Sequence, residues 1–195
     1  NSTVSGNHAT NDDGILNLGT ATLTNATVSA DRNPVLVNLS SGNVIVTKSI
    51  VDGGCGGNAP ASNGYNIESP GNTCGFDQTT DASDVSTEEL GLGPLADNGG
   101  TTPTHALLPG SVAIDWIPEA SCDLTTDQRG VARPQGGVCD VGAFEYADCS
   151  GSICDDGNEC TTDNCDPLSG DPWCINSMVP DGLSCDAGGL TGVGA

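Results

Sequence analysis

An internal repeat near the start of the chain limits the folds that it can adopt. The segments NSTVSGN, NATVSAD and KSIVDGG align with one another, and their central valines, Val4, Val28 and Val51, lie 24 and then 23 residues apart. A unit of this length cannot bury its own inward Val, Ile and Leu side chains, so successive units must stack on one another. The repeat therefore predicts a stacked architecture rather than an ordinary globule.

Two further strand-like pieces recur in the repeat. The stretch TATLTN before the second segment matches NVIVTK before the third, and GILNLG matches PVLVNLS. Each unit of 23 to 24 residues then holds two or three short strands, which is the length of one coil of a parallel β-helix. A β-sandwich with regular hairpins is the alternative that this pattern leaves open.

Composition agrees with an all-β fold. Aromatic residues make up 3% of the chain, glycine is frequent at 28 residues, and β-branched residues are ample. The best helical candidate is DVSTEELGLG, residues 84–93, which predicts one or two turns.

The charge excludes several classes of partner. Four basic residues face 26 acidic ones, giving a net charge of −22. Nucleic acid is excluded because phosphate binding needs clustered Lys and Arg, and anionic membranes and polysaccharides are disfavoured for the same reason. Ten cysteines favour disulfides in an oxidising compartment, and no transmembrane run is present.

Four motifs in order carry a family resemblance: GYNIES (64–69), TCGF (73–76), LGPLADNGGTTPTHALLPGSVAID (92–115) and TDQRGVARPQGGVCDVGAFEY (126–146). Over residues 1–146 the chain resembles the last coils and C-terminal cap of secreted bacterial right-handed parallel β-helix proteins, the choice-of-anchor Q group and relatives of polymorphic outer-membrane proteins. The resemblance implies that fold and an extracellular or cell-surface location, and it implies no established catalysis.

We therefore expect four parts in the chain. Residues 1–54 form coils of the β-helix, and 55–147 form the last coil and a disulfide-bonded cap. Residues 148–186 form a small cysteine-rich module, and 187–195 form a flexible tail. Because the chain begins inside a coil, we expect further coils before Asn1 or another chain covering this end.

His105 lies in the third of these motifs and is a candidate active-site residue. Pro103, Pro109 and neighbouring glycines predict turns around it, and the sequence nearby contains no serine in a glycine-framed elbow. His8, the other histidine, is far away in the sequence. We predict that His105 is a structural residue hydrogen-bonded to the backbone.

Two arginines raise the same question, because β-helix polysaccharide lyases use cationic residues in catalysis. Such a site needs several cations in one groove, and the chain has four in total. We expect Arg129 and Arg133 to form ion pairs within the cap, with Asp127, Asp140 and Glu145 as their neighbours.

Cysteines divide into two groups. Cys55 with Cys74 and Cys122 with Cys139 are the natural pairs in the cap, and each bridge is worth roughly 3 kcal/mol in the chain-entropy estimate. The other six suggest three disulfides of undetermined connectivity, because their spacing differs from the Cys-x2-Cys pattern of the competing zinc site. They are Cys149, Cys154, Cys160, Cys165, Cys174 and Cys185.

The segment DDGNECTTDNCD is similar to the Asp-Gly-Asn-x-Cys-Thr repeats of secreted bacterial cysteine-rich modules. Its closely spaced oxygen donors suggest a calcium loop that is not an EF-hand, while turn formation by the same acids is the alternative. The candidate ligands are Asp155, Asp156, Asn158, Asp163 and Asp166.

The functional prediction is a non-catalytic structural protein of the cell surface or extracellular space, built as a stiff rod or fibre component. Disulfides, and calcium where it binds, stabilise it, and copies associate end to end. An adhesin that binds a glycan or a protein through its coils is one alternative, and a carbohydrate-active enzyme is another. Asn1, Asn25 and Asn38 lie in Asn-x-Ser/Thr sequences that we interpret as ladder and turn residues.

Overall fold

The computed structural model describes residues 1–7, 14–30 and 34–147, together with the backbone of two strands at 161–165 and 174–178. The repeat region folds into ten short strands. They are β1 (Ser2–Ser5), β2 (Ile15–Asn17), β3 (Thr20–Thr24), β4 (Ala26–Ser29), β5 (Leu36–Asn38), β6 (Asn43–Thr47), β7 (Ile50–Asp52), β8 (Cys55–Gly57), β9 (Ala61–Ser62) and β10 (Ile67–Ser69).

These strands form three parallel sheets that the chain visits in turn. Sheet A has the order β1-β4-β7-β10, sheet B has β2-β5-β8, and sheet C has β3-β6-β9. The aligned valines pair in register, Val4 with Val28 and Val28 with Val51. The predicted repeat is confirmed, and the alternative with hairpins is wrong for these strands because every pair in the three sheets is parallel.

Each short connection from sheet C to sheet A contains one non-glycine residue in a left-handed conformation. Asn25, Lys48 and Tyr65 occupy these corners with φ of 48°, 52° and 57°, in the left-handed region. Asparagine is the side chain that most readily adopts this conformation after glycine. The predicted turn role of Asn25 is therefore confirmed.

Aliphatic side chains make up most of the interior between the sheets, and an amide pair lies among them. Val28, Val44 and Val51 are fully buried in this core. Asn17 Nδ2 donates to Asn38 Oδ1 at 3.0 Å where β2 and β5 pair. Asn38 is thus a ladder residue, as predicted.

Residues 70–84, the closing loop, cover the far end of all three sheets. In sheet B, the Cys55 amide donates to Thr73 Oγ1 of the loop at 2.8 Å. In sheet C, Ser62 Oγ donates to Asp81 Oδ2 of the loop at 2.6 Å. Ala82 bridges Ile67 in sheet A. The predicted Cys55–Cys74 disulfide ties this loop to β8, so the loop contacts all three sheets at this end.

After the closing loop, the chain forms a short helix, α1 (Thr87–Leu90), within residues 84–93, where one or two helical turns are predicted. Ser86 and Glu89 form a capping box, and Gly91 ends the helix in a left-handed conformation. Four strands and a 3₁₀ turn (Glu119–Ser121) follow. The strands are β11 (Leu92–Ala96), β12 (Thr104–Leu107), β13 (Ile117–Pro118) and β14 (Val138–Cys139), paired antiparallel as β11-β12 and β13-β14.

Residues 92–147, the cover, pack against the outer face of sheet A from its last strand back to its first. Ala143 N donates to Thr27 Oγ1 at 3.0 Å, and Gly142 N donates to the Lys48 carbonyl at 3.0 Å. Ile50 and Ile67 of sheet A share a second core with Leu107 and Phe144 of the cover. Strands β4, β7 and β10 of sheet A are consequently covered on both faces, and the predicted Cys122–Cys139 disulfide lies within the cover.

Beyond the cover, two strands pair antiparallel, β15 (Thr161–Cys165) and β16 (Cys174–Met178). The predicted disulfides of Cys149, Cys154, Cys160, Cys165, Cys174 and Cys185 lie outside the described side chains, as does the predicted tail. The part of the chain that is described contains no helix long and apolar enough to cross a membrane.

Candidate functional site

His105 lies on β12 and is buried between the cover and β1. Its Nδ1 lies 2.7 Å from the Gly93 carbonyl oxygen, so the prediction of a backbone-bonded histidine is confirmed. Its Nε2 lies 2.7 Å from Ser5 Oγ, a contact across 100 residues. The sequence motif around His105 gave no sign of this serine, because stacking of the strands and return of the cover bring the two together.

The hydrogen bonds determine where the histidine proton lies. A carbonyl oxygen only accepts, so Nδ1 of a neutral ring carries the hydrogen and Nε2 accepts from the Ser5 hydroxyl. Ser5 belongs to a polar column of sheet A, in which it pairs with Ser29 and Ser29 pairs with Asp52. Ser29 Oγ donates to Asp52 Oδ2 at 2.7 Å. Burial raises the pKa of Asp52, although that hydrogen bond and His105 oppose the shift.

This cluster fastens the first strand to the cover. Besides Ser5, Thr3 Oγ1 donates to Gln128 Oε1 at 2.8 Å, and Asn1 Nδ2 donates to the Thr126 carbonyl at 2.6 Å. Three side chains of the first strand region are therefore bonded to the cover. Ser5 lies on strand β1 and His105 on strand β12. Ser5 is therefore not on the sharp strand-to-helix turn that exposes a nucleophilic serine.

A cavity of about 460 Å³ lies beside this cluster. The first strand region forms one wall with Asn1, Ser2, Thr3 and Ser5. The cover forms the opposite wall, and its lining residues are Leu95, Thr102, Pro103 and Gln128.

Arg129 forms the centre of one buried ion pair in the cover, as predicted. Its Nε donates to Asp127 Oδ2 at 2.8 Å, and its guanidinium lies 3.5 Å from the centre of the Phe144 ring. A further nitrogen donates to the Glu145 carbonyl at 2.6 Å. Burial lowers the pKa of Arg129, and the nearby carboxylate of Asp127 opposes that shift.

Arg133 forms the second buried pair, with Glu145 at 3.4 Å between Nη1 and Oε2. It also donates to the main-chain carbonyls of Asp140 and Gly142, each at 2.8 Å. The expected role of Asp140 as an ion-pair partner is therefore replaced by a contact through its main chain. Its carboxylate instead accepts the amide hydrogens of Asp115 and Tyr146.

Asp140 and Glu145 are adjacent buried carboxylates, the arrangement from which acid catalysts are often made. Burial, with the charge of Glu145 as a second cause, raises the pKa of Asp140 to about 8. Burial also raises the pKa of Glu145. Glu145 accepts the amide hydrogens of Gln135 and Asp140. Both carboxylates accept main-chain amide hydrogens inside the cover, and Glu145 is also paired with Arg133, so the two side chains hold the loops of the cover together.

Glu68 was missed by the sequence reasoning. It pairs with Val51 on β7 and takes the inward position of the valine column, fully buried. Its carboxylate accepts from Thr73 N at 2.5 Å and from Cys74 N at 3.0 Å, which holds the closing loop. The repeat contains the signal, because a carboxylate stands where each earlier unit has valine.

Another surface has exposed apolar side chains. Leu16, Leu18 and Leu39, at β2 and in the turns after β2 and β5, are 49%, 60% and 38% exposed. Leu39 N donates to the Asn17 carbonyl at 3.0 Å, so the two turns stack. These three residues, the leucine patch, form an apolar surface outside either core.

The predicted calcium ligands, Asp155, Asp156, Asn158, Asp163 and Asp166, lie outside the described side chains, as does His8. Within the described ranges, no group of three His, Cys, Asp or Glu side chains is placed to hold a metal ion.

Comparison with protein-family models, with curated proteins and with solved structures found no match to this chain.

Proposed function

We propose that this chain is a non-catalytic structural segment of an extracellular protein, in which stacked coils give a stiff body. The observation that carries the proposal is the in-register parallel pairing of all three sheets together with a cover bonded to the first strands of sheet A. A body of this kind resists unravelling because each strand is held by its neighbours and sheet A also by a second layer.

The finer fold proposed is a right-handed parallel β-helix. The chain visits sheets A, B and C in the same order in successive repeats, which is the path of a coil. Right-handed crossing is the rule where one parallel strand connects to the next in the same sheet. The family resemblance of residues 1–146 supports the same fold.

A structural role is favoured over catalysis by how the reactive groups are used. Arg129 and Arg133 are bonded to buried acids and carbonyls, and His105 is bonded to Gly93. A lyase needs free cations in a groove, and a glycosidase needs accessible carboxylates. The buried Asp140 and Glu145 do not supply these.

An extracellular location is proposed on the two disulfides and the acidic composition. Cys55–Cys74 and Cys122–Cys139 are compatible with an oxidising compartment. Calcium binding by residues 155–166 is proposed from the sequence alone. Thermal unfolding under non-reducing conditions, with and without calcium, tests it: a rise in midpoint supports binding, and an unchanged midpoint contradicts it.

Hydrogen exchange tests the structural proposal. Amides of β4, β5 and β6, each between two paired neighbours, are expected to exchange only through global unfolding. The matched control is the double variant Cys122→Ser and Cys139→Ser, which removes a disulfide within the cover only. In this variant we expect the amides of β4–β6 to stay protected. Rapid exchange of β4–β6 in the unaltered protein would contradict a stiff stack.

An adhesin is the second candidate, and the leucine patch favours it. Exposed apolar patches often mark interaction sites. A glycan and protein binding screen should find a ligand that the variant Leu18→Asp loses while Leu108→Asp, changed at another exposed leucine, retains it. Binding that survives both changes would exclude the leucine patch.

A further inference from the structure

The two ends of the stacked sheets differ. The closing loop covers β8, β9 and β10, and contacts each of the three sheets. At the other end, no described strand pairs with the outer edges of β1, β2 and β3. This end, the open end, presents three parallel strand edges whose alternate backbone groups lack a strand partner.

The inner core is also uncovered at the open end. The inward residues of the first coil are only partly buried, whereas the residues paired with them in the next coil are 0% exposed. The pairs are Val4 with Val28, Ile15 with Leu36, Ala21 with Val44, and Leu23 with Val46. The same type of side chain is thus buried when a coil lies above it and solvated when none does.

The cover extends to the open end as well. The cavity of about 460 Å³ lies between the first strand and the cover residues Leu95, Thr102 and Pro103. Leu95 is 45% exposed, while Leu107 on the paired strand of the same hairpin is buried against sheet A. The hairpin therefore leaves an apolar side chain beside a position where a further strand of sheet A would run.

We propose that the open end is the docking site for one further coil of polypeptide, with three short strands that run parallel to β1, β2 and β3. Its inward positions are Val, Leu or Ile, which cover Val4 and Leu23. Its strand beside β1 fills the cavity and lies under Leu95. Residues 1–24 show the chemistry that fits, because they occupy the equivalent place above the second coil.

A second copy of the chain fits this end less well. At its closed end, the closing loop already contacts all three sheets and bridges β10 of sheet A. If two copies associated through their open ends, the strands of one copy would run antiparallel to those of the other. Both covers would then lie on the same side of the interface. A coil of the same direction continues the existing pairing without either conflict.

The inference rests on the proposed coil stack, and one experiment separates the two. A second copy of residues 1–24 is added directly before Asn1 of the full chain. In the control, the added copy carries Ser in place of its three large inward apolar residues, Val, Ile and Leu. Hydrogen exchange is then measured in the unaltered, extended and control proteins.

We expect the added coil to slow exchange of the β1–β3 amides by at least about tenfold and to raise the unfolding midpoint, while the control does neither. Unchanged exchange in β1–β3 with β4–β6 still protected would overturn the docking proposal alone. Fast exchange of β4–β6 in the unaltered protein would overturn the coil stack.

Light scattering of the unaltered protein gives a second check. A constant monomer mass excludes a second copy as the occupant of the open end. A dimer that the variant Leu95→Asp dissociates would show that a second copy occupies the open end, and would overturn the proposal.

Discussion

Sheet A and sheet C come from the same repeat, yet they are buried differently. All four residues of β4 in sheet A are buried, whereas β6 in sheet C, also an inner strand, alternates between buried residues and exposed or half-buried ones. The cover makes this difference, because it packs on the outer face of sheet A. An alternating strand therefore does not reveal whether its polar side faces water or a second layer. Thr27, on the outer side of β4, bonds the cover instead of solvent.

Removing Arg133 should cause the largest loss of stability. Arg133 and Glu145 are both fully buried, so Arg133→Met leaves an unpaired buried carboxylate and two unpaired carbonyls. We expect a cost of about 3–5 kcal/mol in the free energy of unfolding, measured by denaturant titration. The double variant with Glu145→Gln should recover part of it. A cost for Arg133→Met below about 1 kcal/mol, the range of an exposed pair, would contradict a buried network.

Substitution of one isoleucine in each sheet tests the difference between sheet A and sheet C directly. Ile50 on β7 is fully buried under the cover, and Ile45 on the adjacent chain segment β6 is only partly buried. Ile50→Ala should cost about 2–5 kcal/mol through lost contacts and a cavity, and Ile45→Ala clearly less. Equal losses in denaturant titrations would mean that sheet A gains nothing from the cover.

Alanine substitutions at two glycines distinguish the cost of overpacking from the cost of backbone strain. Gly142 (φ 94°) and Gly130 (φ 95°) have the same conformation, but a Cβ on Gly142 would lie 2.7 Å from Thr27 Oγ1 and 2.9 Å from Ile50 Cδ1, while one on Gly130 meets nothing within 4 Å. Both alanine variants lose stability through strain. Gly142→Ala should lose a further amount of about 1–3 kcal/mol from overpacking. Matching unfolding midpoints of the two variants would contradict close packing of the cover.

A separate prediction concerns pH. The pKa of Asp140 is about 8 in the folded protein, against about 3.9 in an unfolded chain. The folded state then holds a proton that the unfolded state has released, so the free energy of unfolding falls as pH rises from about 4 to about 8. The raised pKa of Glu145 acts in the same direction.

Unfolding midpoints measured between about pH 5 and about pH 7.5 test this slope. Asp140→Asn should flatten it, although the variant also loses an acceptor. Glu89→Gln is the control, because hydrogen bonds from Ser86 lower the pKa of that exposed carboxyl and its titration lies below this range. An unaltered slope in Asp140→Asn would show that Asp140 is ionised in the folded protein.

Local chemistry made much of this fold predictable. The valine spacing predicted the register of sheet A, the segment 84–93 was expected to hold one or two helical turns and contains α1, and both described disulfides joined the expected cysteines. What the sequence did not reveal depends on where the cover returns. The contact of His105 with Ser5 spans 100 residues, and neither residue carries a local pattern that names the other.

Glu68 shows a different limit. Periodicity predicts an apolar residue at its inward position, and a buried carboxylate there is favourable only because loop amides turn toward it. The loop geometry that supplies those donors is itself set by the disulfide and by the end of the stack. The sequence pattern therefore predicts the repeated strands better than the loop that follows the last of them.

The corners at Asn25, Lys48 and Tyr65 have a consequence for how such a chain can vary. They lie 23 and then 17 residues apart, yet the strands after them stay in register. The corner fixes where each repeat re-enters sheet A, and the other turns absorb the six-residue difference. Insertions and deletions in those turns can therefore alter the outline of the molecule one repeat at a time without disturbing the column of valines within. The surface can change in this way while the core is kept.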